Sequence, residues 1–188
     1  MSNISIHPAA TSAVSTNFHQ TTIVKRLTVV QAEDDDCVRS RRVTPVSKVS
    51  VFDKTEQKTM HWISGVASSM GSADMQRSYM VLRGVLHALR DRLPPNEAVQ
   101  LGAQLPMLVR GFYYEGWHPQ DKPKRYHRKG PFLEQVRSEV PTLDDTQLER
   151  AVSSVFETLE SEIPGGELEQ VRHALPADLR ELWAMPGM

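Results

Sequence analysis

The chain carries one pattern twice, seventy positions apart and without a gap. Leu89, Leu93 and Pro94 fall on Leu159, Ile163 and Pro164. Glu97 falls on Glu167, Leu105-Pro106 on Leu175-Pro176, and Arg110 on Arg180. Phe112-Tyr113 overlies Leu182-Trp183. Internal repetition fixes architecture before any single residue is read. What repeats here is packing and punctuation, namely apolar positions and prolines; chemistry does not repeat.

The repeated segments have helical spacing. Trp62, Ile63, Val66 and Met70 lie on one helix face, and the shift carries them to Phe132, Leu133, Val136 and Val140. Leu82, Leu86, Leu89 and Leu93 make a second stripe, matched by Val152, Phe156, Leu159 and Ile163. Thr142, with an acid three positions on, is the expected cap of the second copy, and Ser72 holds that place in the first. Pro94 and Pro164 end this helix, because proline lacks a donor and clashes with the preceding turn. Ala98, Leu101 and Leu105, or Leu168, Val171 and Leu175, give a short third helix. Pro106 and Pro176 are expected at the first position of a fourth, where a missing amide costs nothing. Val109, Phe112 and Tyr113, or Leu179, Leu182 and Trp183, form its buried side.

The predicted fold is therefore all-α, with two tandem repeats of about four helices. They span 60–117 and 130–187, joined by a basic linker over 118–129, in one pseudo-twofold domain covering 51–188. Residues 1–50 read as a flexible arm or a misassigned start. Thr22–Val30 is β-branched and Val43–Val51 alternates weakly, but a lone hairpin is marginal in water.

Composition narrows the class. One cysteine, Cys37, excludes an internal disulfide framework and suits a reducing cytoplasm. Apolar runs fall short of the roughly 20 residues that span a bilayer, so no membrane partner is expected. The net charge of -1 hides a balance of +7 over 1–129 and -8 over 130–188. Such asymmetry bears on association rather than fold.

Several segments resemble a known family. They are Val51–Thr59, Leu86–Pro94, Leu101–Gly111 and Tyr113-Tyr-Glu-Gly-Trp117. Across about 51–184 the chain resembles the bacterial family called domain of unknown function 2267. The resemblance implies a soluble, helical, cytoplasmic protein with a stress association. It brings no activity, cofactor or catalytic residue with it.

The best candidate site is the junction between the repeats. Tyr113, Tyr114, Glu115, Trp117 and His118 lead into Lys122, Lys124 and Arg125. Aromatics mixed with cations anchor protein interfaces and also stack on bases. A plainer reading has Tyr113 and Trp117 closing the core over a solvated linker. Neither a catalytic set, a cofactor site nor a metal site is assigned. Glu115, His118 and His127 make a poor metal set, and Glu97 and Glu167 read as helix-dipole partners. His87 reads as a hydrogen-bonded residue bordering the core, and Arg110 as a donor to the carbonyls of the loop before it. The leading expectation is a non-enzymatic protein that binds a protein partner through the junction. Nucleic-acid or phosphate binding by the linker is the alternative, and an enzyme pocket around Tyr114, Glu115 and His118 the third. Oligomeric state is not specified by the pattern.

Overall fold

The computed structural model describes residues 49–184. Every regular element among them is helical. In chain order these are α1 (Ser50–Ser69), α2 (Met75–Arg92), α3 (Pro95–Gln104) and α4 (Met107–Tyr114). A 3-10 turn at Pro119–Asp121 follows, then α5 (Lys129–Glu139), α6 (Asp145–Glu162), α7 (Gly165–His173) and α8 (Ala177–Ala184). Helices α2 and α6 begin and end seventy positions apart, and so do α4 and α8. Helix α1 is the exception: it has 20 residues where α5 has 11. Ser50 and Val51, expected in an alternating segment, already belong to α1. The rest of the predicted arm lies outside the described residues.

The expected stripes form the core. Trp62, Val66, Leu82, Leu86, Leu89 and Leu93 are buried, and so are Phe132, Val136, Val152, Phe156, Leu159 and Ile163. Each such side chain stabilises the fold by about 1.5–3 kcal/mol relative to leaving it in water. Helix α1 packs on α2 and α6, α5 on α2, α8 on α6, and α3 on α7. The α2–α5 crossing is tight. A Cβ on Gly84 would sit 3.0 Å from the Glu139 Cβ, so a larger residue there would push the two helices apart by a few tenths of an ångström. At that crossing His87 Nδ1 lies 3.6 Å from Glu139. At the α1–α6 crossing Ser69 donates to Glu157.

The helix ends correct two expectations. The caps are Asp74 and Asp144, not Ser72 and Thr142. Asp74 accepts from the Arg77 amide at 2.9 Å, and Asp144 from the Gln147 amide at 2.9 Å. Gln147 returns the bond by accepting from the Asp144 amide at 3.1 Å, which completes a capping box. Buried Leu143, whose amide donates to Val140 at 3.3 Å, holds the chain in a turn and delays α6 by two residues. Pro106 likewise caps α4 rather than opening it. Its backbone is extended, and its carbonyl accepts from the Arg110 amide at 2.7 Å. Pro176 does the same for α8, accepting from Arg180 at 3.1 Å.

Candidate functional site

The junction is organised by the last turn of α2. Leu89 and Leu93 reach the core, and the charged residues between them are buried too: Arg90 is 5% exposed and Asp91 6%. Each of the three charged positions, Arg90 to Arg92, holds a different part of the covering chain.

Arg90 closes the end of α4. Its guanidinium donates to the carbonyls of Tyr113 and Glu115, and its Nε donates to Asp91 at 3.0 Å. One turn earlier, His87 Nε2 donates to the Phe112 carbonyl at 2.6 Å. The unpaired carbonyls that end any helix thus find donors on α2. Burial, with Arg90 and Arg83 assisting, pushes the His87 imidazole below its ordinary 6.5, against the opposing pull of the Phe112 carbonyl and Glu139.

Asp91 gathers the linker. Its carboxylate accepts from Lys122 Nζ at 3.1 Å and Gln135 Nε2 at 3.2 Å, and Lys124 Nζ lies 3.2 Å away. Its carbonyl accepts from the Lys124 amide at 2.8 Å. Burial works to raise this carboxyl, but Arg90 and Lys122 together outweigh it and hold it below its usual 3.8. Arg92 completes the clamp. It donates to the Tyr126 carbonyl at 3.1 Å and lies 5.6 Å from the centre of that ring.

The predicted residues divide accordingly. Tyr113 is fully buried and its hydroxyl donates to the Ala98 carbonyl at 2.8 Å. It belongs to the core, not to an exposed element. Tyr114 is half-buried, edge-on to Tyr113 with ring centres 4.9 Å apart, and lies over Gly102. A Cβ there would come within 2.1 Å of the Tyr114 hydroxyl. Trp117 packs on Tyr114 with centres 5.4 Å apart. Glu115 is exposed and pairs with Arg83 at 2.9 Å; Arg83 also binds Glu139. His118 is exposed, with Nδ1 3.0 Å from the Gly116 carbonyl oxygen. Lys122 and Lys124 are both drawn onto Asp91. Arg125 is exposed. Tyr114, Glu115 and His118 therefore face different partners and do not converge.

Burial raises the phenols of Tyr113, Tyr114 and Tyr126, so none supplies a phenolate near neutral pH. No three His, Cys, Asp or Glu side chains gather as metal ligands among the described residues. No helix among them is long and apolar enough to cross a membrane.

Sequence reading passed over Arg83, Arg90, Asp91, Arg92, Gln135 and Glu139. Spacing gave no signal for Arg90-Asp91-Arg92, because the matching residues Glu160-Ser161-Glu162 also lie between two core positions, Leu159 and Ile163, and are exposed. The expectation for Arg110 holds: it donates to the Ala103 and Leu105 carbonyls at 2.9 and 3.0 Å.

The family model described as "Uncharacterized conserved protein (DUF2267)" matches residues 59–182. The chain belongs to that family. The match takes in the whole junction, starts nine residues into α1 and ends within α8. No curated protein matches the chain.

Proposed function

We propose that this DUF2267 chain is a non-enzymatic interaction protein of the bacterial cytoplasm, with the junction as its recognition surface. Two copies of one four-helix unit over 51–188 would form a pseudo-twofold scaffold beneath it. Exchanged contacts support that scaffold. The shift of seventy turns the α1–α6 packing into α5–α2, and the pair Ser69–Glu157 into Glu139–His87.

The observation that carries the functional reading is the anchoring of Lys122 and Lys124 on the single carboxylate of Asp91. It spends the linker's charge on holding the linker still. Lys129 is likewise paired, with Glu149 at 2.6 Å. Arg125 and Arg128 remain as the linker's exposed cations without an ion pair among the described residues. Two phosphate contacts from these residues would give a salt slope of only roughly -1.8, fewer contacts than nucleic-acid binders usually make. A fixed loop displaying Glu115, His118 and Arg125 suits a protein partner, since it loses little conformational entropy on binding.

A photo-crosslinking side chain placed at His118, at Arg125 or, as a control, at Glu169 on α7 tests this in native lysate. Discrete adducts at the first two positions and none at the third are expected. The same pattern at all three would sink the proposal. A steeply salt-dependent shift of DNA or RNA by the full chain would favour the nucleic-acid alternative.

A further inference from the structure

A cleft of about 620 Å³ opens at the other end of α4, away from the junction. Its floor is apolar, made by buried Trp62 and Leu105, and Met107 stands exposed at its edge. Its polar lining includes Lys58 from α1 and Arg110 from α4. Neither cation forms an ion pair among the described residues. Glu162, the acidic residue of the lining, is committed to His61 at 2.9 Å. Arg110 is held in place: one terminal nitrogen donates to two backbone carbonyls, which leaves its other donors unused among the described residues. Helix α4 begins at this rim with Pro106 as its cap and no side chain on its first amides, adding positive potential of the same sign.

The cleft is also a product of asymmetry. Thr55 and Lys58 line it from the first turns of α1, which α5 lacks. Its volume lies in the range of about 300–1,000 Å³ typical of small-molecule sites, and its lining mixes apolar and polar residues.

We propose that this cleft binds a small amphiphilic anion. The carboxylate or phosphate head lies between Lys58 and Arg110, and the apolar body rests on Trp62, Leu105 and Met107. A charge-assisted bond to a planar guanidinium accounts for the head, and apolar burial for the body. This site is separate from the junction and does not rest on the reading given to it above.

Fluorescence titration of the full-length chain with anilinonaphthalenesulfonate, an anionic aromatic probe, tests the proposal. Saturable binding at one site per chain is expected. Lys58→Gln and Arg110→Met should each weaken it about tenfold, the loss expected for one charged hydrogen bond. Arg180→Met, at the matching position of the second repeat, should leave it unchanged. Uncharged phenylnaphthylamine should bind the variants as it binds the parent. Decanoate and decyl phosphate, used as competitors, distinguish a carboxylate head from a phosphate head. Displacement by either supports the site; displacement by neither, or equally well by decanol, overturns it. Lys58 is exposed, so Lys58→Gln is a fair test even if Arg110→Met fails to fold. Undiminished probe binding by Lys58→Gln would also overturn the proposal.

Discussion

The last turns of α2 and α6 occupy matching positions of the repeat and carry opposite charge. In α2 the sequence Arg90-Asp91-Arg92 is covered by the chain from Tyr113 to Tyr126. In α6 the sequence Glu160-Ser161-Glu162 stays at the surface. Glu160 accepts from Trp183 Nε1 at 2.6 Å and Arg172 at 3.1 Å, so it holds its own α7 and α8. Ser161 donates to the Thr158 carbonyl at 2.9 Å, and Glu162 reaches across to His61. One backbone frame thus supports two electrostatic schemes. The scheme that is buried is the one with a linker to bind.

Paired volumes show the same adaptation. Gly102 and Tyr114 of the first repeat correspond to Arg172 and Ala184 of the second. Large and small have changed places. Tyr114 fills the space above Gly102, whereas Arg172 lies over the Trp183 ring at 5.7 Å.

The contrast predicts its largest effect at position 91. Asp91→Ala leaves buried Arg90 and half-buried Lys122 without their shared partner and should cost about 3–5 kcal/mol in urea unfolding. Ser161→Ala, at the matching exposed position, should stay within about 0.5 kcal/mol. Equal losses would erase the distinction between the two ends.

Next comes the exchanged volume. Gly102→Ala should cost about 1–2 kcal/mol, because the new methyl displaces Tyr114. In a Tyr114→Ala background the same change should stabilise by up to about 1 kcal/mol through helix propensity. A double-mutant cycle without that reversal of sign would show that the two residues are not coupled.

A smaller effect concerns pH. The folded-state pKa of His87 lies below 6.5, so the unfolded chain takes up the proton more readily. Stability is complete above pH 6.5 and declines as pH falls below it. His87→Gln should flatten this decline; the second repeat has Glu157 there and contributes no such histidine. Asp91 acts lower. Its contribution is present above pH 3.8 and is lost as pH falls through its depressed folded value. Chemical unfolding measured across pH 3–7 in both backgrounds would separate the two steps.

The smallest effect is at Glu162. His61 is 69% exposed on its side chain, so Glu162→Gln should cost no more than about 0.5 kcal/mol in a thermal melt.

The helices were legible because their apolar period is regular. Leu82 to Leu93 and Val152 to Ile163 could be placed in the core from spacing alone, and the prolines marked their ends within a residue or two. The α6 cap was misplaced because Leu143 is held by tertiary burial, which local propensity does not encode. The junction was legible as a location but not as a mechanism. Tyr113 and Lys122 were visible as residue types, yet their partners, Ala98 and Asp91, lie on other elements. Asp91 itself was hidden by its neighbours: in sequence, a charge between two arginines reads as a solvated face. The cleft was invisible, because it depends on how far α1 runs beyond its counterpart.

The interleaving of α1 with α6 and of α5 with α2 has a consequence for anyone who would divide the gene. Severed between Gln120 and Arg128, the polypeptide yields two pieces, each bearing an oily stripe shaped for the other. Produced singly, each piece should clump; produced together, they should reunite as a nicked whole.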